Sequence, residues 1–546
     1  MVRKLHFIDG LRGLLHLSII ALHVSMMVTY WLPVEGEVWD RYRSSPLYSF
    51  AQAGGVQVDV FLMISGFFLV RRLIKPTTES RTEGLFIVEI TKRFLRFWPV
   101  HCVAVICNAC LGEFYSTPLD IFRSVVSSLF FVCNYFPDYV PLGMAVAWSS
   151  CVDIQFGIVL TLILDTIRKI CHPKDILKTT TRVLTFLLFL SFFIRYLNFQ
   201  PETGNLVKLG DMNHMGKLLG KGWLSDQLLP REIHRTEQSA EDWLFSTYNI
   251  SVSYPGNDWI IGQVYAFTVY FPMHTRFGPM VVGGLLACTE KYIQLGNVKK
   301  YSSLRLTLKW LMVTWATSQL LLPCIPQEGN ASEIPIEAQV FITVALRTLS
   351  SIAAAILLLT CLVPKDHPLH VDFIESLLSN SFLQWVGSIS YCSYLIHFRI
   401  IQEMTLYYIK PEEGAFTLGN GKDIDAVFIE ICVYFAKIFT ASLLVSFSLA
   451  TFLHYCVELP GIGVRYSIVK WLCHKIENNS LKSSAKTDLK KYVKLPSPRH
   501  EMDAAQTREE LETVLNDLRE VEKMNLEQKI RIQELESELK ETRKRK

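Results

Sequence analysis

The sequence predicts an all-α polytopic membrane protein with about ten transmembrane helices, followed by a cytosolic coiled coil, and three observations lead to that fold class. Half of the 546 residues are hydrophobic and only 19% are charged, against the roughly 25% usual in soluble domains. The apolar residues gather in discrete stretches that approach the roughly 20 residues needed to cross a bilayer core. Basic residues cluster between those stretches, which fixes the orientation through the excess of Lys and Arg in cytosolic loops.

The amino terminus is basic from Met1 to Lys4, but Asp9 and Arg12 interrupt the apolar region that a cleavable signal needs. The first helix, 13–31, is therefore expected to stay in the protein and to begin in the cytosol. The second, 54–71, ends on Arg71, Arg72 and Lys75, and Lys92, Arg93 and Arg96 keep the next connection cytosolic before a third helix at 98–111. The fourth, 146–166, runs into Arg168, Lys169 and Lys174, and the fifth, 183–197, leaves the cytosol again. Residues 200–258 are polar and rich in turn formers, as expected of an outer loop. The apolar stretch 259–271 is too short to span, and counting it would place Lys291, Lys299, Lys300, Arg305 and Lys309 outside. The sixth helix is instead 278–294, and the remaining four cover 306–322, 340–363, 382–404 and 426–455, with both termini cytosolic. Sequons at Asn249 and Asn330 then face outward, and one at Asn478 faces the cytosol.

This divides the chain into a membrane domain at 1–465, a basic cytosolic linker at 466–503 and a coiled coil at 504–546. In the last segment Leu511, Leu518, Asn525, Ile532 and Leu539 fill one seam position, and Val514, Val521, Gln528, Leu535 and Thr542 fill the other. A single polar seam residue such as Asn525 is a device for fixing register, and a homodimer or another coiled-coil partner is expected there. The thirteen cysteines mostly fall inside apolar stretches with no regular spacing. They read as small hydrophobes rather than as a disulfide or zinc framework. Beyond the lipid bilayer, no metal and no nucleic-acid partner is expected.

Ionisable residues inside membrane helices are costly, so each is a candidate for function. Arg12 and His23 are eleven residues apart on the first helix, which puts them on one face about 16 Å apart. His16 shares that face. The second helix carries Asp59. The fourth opens with Trp148-Ser-Ser-Cys-Val-Asp-Ile-Gln-Phe, in which Asp153 has no local cation and must find its partner on another helix. Asp59, Asp153 and Gln155 are therefore expected around His23, either as part of a reaction centre or as a polar network that only joins helices. Lys92, Arg93 and Arg96 suit phosphate binding through the planar fork of arginine, or serve simply as the positive charge of an inward loop. Arg276 caps the outer end of the sixth helix, and the ninth carries Tyr391 and a second buried base, His397.

These residues sit in motifs that resemble the membrane-bound acyltransferase type 3 family. Phe7-Ile-Asp-Gly-Leu-Arg-Gly followed by His23, Asp59-Val-Phe-Leu-Met-Ile-Ser-Gly-Phe, and Lys92-Arg93-Phe-Leu-Arg96-Phe-Trp-Pro99 occur in the family's order. Trp148 through Gln155 and Ser390-Tyr-Cys-Ser-Tyr-Leu-Ile-His397 continue it, and Glu458-Leu-Pro460 resembles its closing motif. Tyr270-Phe-Pro-Met-His-Thr-Arg276-Phe-Gly-Pro is similar to the eukaryotic nose-resistant-to-fluoxetine branch. One departure is Ile154, which stands where a second acidic residue is usual.

The resemblance implies a ten-helix fold, acyl-CoA as donor, and Arg12 with His23 as the essential pair. Joined to the residues above, it gives an expected O-acyltransferase. Cytosolic acyl-CoA is held through its phosphates by Arg93 and Arg96, with Arg12 beside them. His23, oriented by Asp153, takes the proton of an acceptor hydroxyl. The acceptor, a lipid or carbohydrate, arrives from the outer side past Asp59 and Arg276. The alternative is a transporter or lipid-moving protein, in which the same buried charges line a path, although no internal repeat of the kind common in transporters is evident.

Overall fold

The computed structural model describes residues 5–31, 41–42, 44–74, 85–110, 118–135, 146–198, 273–295, 309–314, 316–317, 342–409 and 424–492. Every regular element among them is helical. The sequons at Asn249 and Asn330, the stretch 259–271 and the expected coiled coil at 504–546 lie outside the described residues. The chain divides into two compact units, Met1–Ile476 and Glu477–Lys546, and the first carries every candidate site residue.

Several helices exceed the apolar runs that signal them. α1 (His6–Trp31) begins ahead of the expected 13, because Asp9 and Arg12 break the hydrophobicity but not the helix. α2 (Pro46–Leu73) starts where Ser45 accepts from the Tyr48 N–H at 3.2 Å and Pro46 opens the first turn, a pairing of cap and proline that needs no apolar run. α3 (Leu85–Cys110) contains Pro99. α4 (Pro118–Leu129) has no hydropathy signal, being short and amphipathic. α5 (Trp148–Ile170), α6 (Ile176–Asn198) and α7 (Gly278–Leu295) follow, the last preceded by the single turn Met273–Arg276. Then come α8 (Arg347–Leu362), α9 (Asp372–Leu378), α10 (Ser381–Tyr408), α11 (Ile424–Leu453) and α12 (Leu459–Tyr492).

Among the described residues six helices are long and apolar enough to cross a membrane by length and composition. Of the four expected crossings outside those six, 306–322 is described only at 309–314 and 316–317 and 278–294 is α7, of 18 residues; the other two lie in α3 and α10, helices of 26 and 28 residues. Length does not exclude them, since at 1.5 Å per residue each exceeds the roughly 30 Å hydrocarbon core. Both carry inward-turned polar side chains, among them Arg93, His101, Ser390, Ser393 and His397, all buried. At the lipid-facing extreme, α6 leaves Phe186, Phe189 and Phe193 exposed, a face suited to hydrocarbon.

Two apolar cores meet at α1. One joins α1 to α2, α5, α7 and α8 through residues such as Ile19, Met63, Phe67, Val152, Leu160 and Met280. The other joins α1 to α3, α10 and α11 through Ile20, Val24, Val100, Ile389, Leu395 and Ile438. Between α1 and α10 the backbones touch: a Cβ on Gly13 would overlap the Leu383 carbonyl, and one on Gly387 would overlap that of Asp9. Small residues permit such approach where lipid supplies no hydrophobic drive between helices. Paired contacts also fix direction. Asp59 meets Arg276 and Arg71 meets Glu290, so α2 and α7 run parallel. Arg195 bonds the Thr275 carbonyl while Leu184 flanks Gly284, so α6 and α7 run antiparallel.

The end of α4 carries a strained turn. The Val132 N–H bonds the Ser127 carbonyl and the Phe131 N–H that of Ser128, a Schellman closure that places Phe131 at the left-handed position usually held by glycine. Its φ is 57°, which costs roughly 1–2 kcal/mol for a residue with a Cβ.

Candidate functional site

The face of α1 that carries Arg12, His16 and His23 packs along α10, and each residue meets a partner there in the same order. Arg12 Nη2 donates to Ser390 Oγ at 3.3 Å, His16 Nε2 lies 2.7 Å from Ser393 Oγ, and His23 Nδ1 lies 2.8 Å from His397 Nε2. The two helices therefore run parallel. The ladder follows from the spacing along both helices, which keeps each set on one stripe.

The uppermost rung has a definite proton arrangement. His397 Nδ1 is 2.8 Å from the Tyr394 carbonyl oxygen, which can only accept, so that nitrogen carries the hydrogen. In the neutral ring His397 Nε2 is then an acceptor, and it receives the Nδ1–H of His23. His23 Nε2 is left with its lone pair, and it has no hydrogen-bond partner among the described residues. The second nitrogen's bond fixes the tautomer of the first, so the geometry makes His23 Nε2 the basic atom. Tyr394 is itself held, donating to the Val146 carbonyl at 2.7 Å and accepting from Ser149 at 2.9 Å.

Asp153 is not placed on His23. Arg93 Nη2 reaches Asp153 Oδ1 at 2.5 Å, Arg93 Nε donates to the Asp153 carbonyl at 3.0 Å, and Nη2 also reaches Ser65 Oγ at 2.7 Å. Both charges are buried. Gly157 makes the approach feasible, since a Cβ there would overlap the guanidinium. The carboxylate expected to orient His23 is thus paired with Arg93, and the arginine expected to hold a phosphate is paired with Asp153. Asp59 is also elsewhere, fully buried against Arg276 at 2.9 Å and Arg347 at 3.5 Å. Arg276 further lies over the Trp148 ring, 5.0 Å from its centre. Gln155 faces Asn134 with paired amides at 2.8 and 3.1 Å and donates to the Phe131 carbonyl. The Tyr391 hydroxyl donates to the Phe97 carbonyl at 3.1 Å, two residues before Pro99 within α3.

Below the ladder lies a basic cluster. The charge of Arg96 acts on Arg12, Arg72 and Arg465, and Glu458 acts on Arg12 and Arg465. Arg72 is paired with Glu89 at 3.5 Å, and Arg96 is exposed. Sequence reasoning misses Arg72 and Arg465 as site residues, because Arg72 serves there as an orientation marker and Arg465 lies beyond the last expected span. Nearby, Cys392, His454 and Glu458 bring three ligand atoms within 4.8 Å of one another. They form a closed hydrogen-bond set, the Glu458 carboxylate accepting from Cys392 at 3.2 Å and His454 at 2.7 Å.

A family model described as an acyltransferase domain matches residues 5–451. No curated protein and no solved structure matches the chain.

Proposed function

Because the chain belongs to the acyltransferase type 3 family and is a multi-pass membrane protein, we propose that it moves an acyl group from cytosolic acyl-CoA to a hydroxyl of a lipid or carbohydrate acceptor. The observation that carries this reading is the chain from the Tyr394 carbonyl through His397 to His23, each step 2.8 Å. It leaves one uncommitted basic nitrogen part-way along an apolar helix. As the acceptor oxygen bonds the thioester carbonyl carbon, its proton passes to His23 Nε2. The charge gained there is shared through the Nδ1–H bond to His397. When the carbon–sulfur bond breaks, His23 returns the proton to the departing thiolate.

The donor's phosphates meet Arg12, Arg72, Arg96 and Arg465, whose mutual repulsion favours a multiply charged anion. Arg12, three turns below His23, links the two regions. Arg93 acts through Asp153 by fixing α3 against α5, not by touching the donor. Asp59 with Arg276 and Arg347 ties α2, the turn before α7 and α8 at the end opposite the basic cluster, where the acceptor enters.

Helix direction is consistent with ten crossings and both termini on one side, which the basic boundaries make the cytosol. α1 and α10 run parallel, as first and ninth crossings must, and this alternation counts 306–322 as one crossing. The antiparallel α6 and α7 agree with none at 259–271. In a glycosylating secretory pathway, sugar is expected at Asn249 and Asn330 and none at Asn478, read by mass spectrometry before and after glycosidase. Sugar at Asn478 would reverse the orientation.

The enzymatic reading is tested by incubating purified protein with acetyl-CoA and following release of free CoA with and without candidate acceptors. Arg96→Ala is expected to raise the donor KM by roughly tenfold, the worth of one charge-assisted contact. The gap to wild type narrows at high salt as the ionic attraction is screened. Wild-type protein that neither binds nor cleaves acyl-CoA sinks the proposal.

A further inference from the structure

Away from the histidine ladder and the basic cluster, two thiols are buried against each other. Cys133, in the short helical turn after α4, and Cys151, one turn into α5, are both fully enclosed, with Sγ atoms 3.3 Å apart. Their surroundings are apolar: Ile154 and the rings of Phe94, Phe97 and Phe131. A disulfide requires about 2.05 Å between sulfurs, so each would travel well under 1 Å.

The turn that presents Cys133 gives an independent reason to look here. Phe131, two residues earlier, holds the left-handed φ of 57°. A bulky residue in that region persists only where its surroundings over-determine it. Three noncovalent ties already hold it: Gln155 Nε2 to the Phe131 carbonyl at 2.7 Å, the Asn134–Gln155 amide pair, and the stack of Phe131 on His101 with ring centres 4.4 Å apart. Two of the three run from residues 131–134 to α5, along the same line as the thiol pair.

We propose that Cys133 and Cys151 are joined as a disulfide in the mature protein, stapling the turn after α4 to the outer end of α5. The inference rests on the topology proposed above, which puts this end of α5 on the non-cytosolic side, where disulfides form and persist. Two protons and two electrons leave the thiols. A disulfide donor takes them up and departs as two thiols. Cys151 precedes Asp153 by two residues, so the bond also steadies the turn of α5 that carries the partner of Arg93. Cys288 and Cys361, in the halves of α7 and α8 nearest the cytosol, stay reduced.

The test uses the full chain, extracted from its membrane without reductant into N-ethylmaleimide, denatured and digested with chymotrypsin. Trypsin would leave both cysteines in one peptide between Arg123 and Arg168, whereas cleavage after Tyr135, Tyr139 and Trp148 separates them. The expected result is a linked pair of peptides containing Cys133 and Cys151 that parts on reduction, with Cys288 and Cys361 labelled beforehand. Full labelling of Cys133 and Cys151 before reduction overturns the bond. Sugar at Asn249 is read in the same sample: its presence beside two free thiols overturns the bond alone. Sugar at Asn478 overturns the topology and removes the premise of the bond with it.

Discussion

His23→Ala is expected to lower the turnover of acyl transfer by about 10²- to 10⁴-fold, the usual worth of a positioned general base, while acyl-CoA binding stays near that of wild type. The two effects separate because the basic nitrogen and Arg12 of the basic cluster occupy different stretches of α1, three turns apart. His397 acts one step back. Its Nε2 accepts the His23 Nδ1–H at 2.8 Å, so His397→Ala releases the tautomer and lowers turnover by about 10²-fold. Gln at 397 supplies an amide oxygen able to accept the same hydrogen, and His397→Gln is expected to recover a large part of the loss. A residue that merely filled space would show no such difference between Ala and Gln. Folded His23→Ala protein with full transferase activity would falsify the assignment.

The largest stability effect is expected at Arg93 and Asp153. Removing either partner leaves a buried, unpaired charge, a loss of about 3–5 kcal/mol. Arg93→Ala and Asp153→Ala should therefore each deplete the monodisperse peak on size-exclusion chromatography in detergent. The double replacement Arg93→Met with Asp153→Leu removes both charges and is expected to restore most of the folded protein, since an apolar pair of similar volume is often no less stable than a buried ion pair. Gly157→Ala should behave like the single variants, because its methyl displaces the guanidinium from all its partners. If Arg93→Ala stayed folded and lost only affinity for acyl-CoA, Arg93 would belong to the donor site after all.

Much of the helical order is legible in the sequence because apolar runs and basic boundaries are local properties. α7 begins where its run begins, at Gly278. α2 starts ahead of its apolar run because its true beginning is a cap and a proline in the polar stretch around Ser45. α4 escapes hydropathy because only one of its faces is apolar. His23, His16, Arg12 and His397 are each legible as costly groups in apolar helices. Their pairing is not, since His23 and His397 are 374 positions apart and nothing in the spacing of one helix names the residue opposite. The pairing of Arg93 with Asp153 is not anticipated from the sequence, although the sequence holds a usable signal. Val100 and Ala104, seven and eleven residues further on, share its line along α3 and are buried, whereas Arg96 is turned outward. A cation in line with buried apolar residues belongs to the packed interior.

The contact between α1 and α10 bears on how such a protein can move. Rocking one half of a bundle against the other, as alternating access requires, would have to part the two apolar cores where they meet. That seam has no slack. Gly13 and Gly387 bring backbone onto backbone, so the helices can neither slide by a turn nor roll without collision. The same seam sets the distance from His23 to His397. A carrier cycling through two faces would dismantle its own histidine pair on every stroke, whereas a stationary frame that admits a donor from one side and an acceptor from the other can keep it assembled throughout.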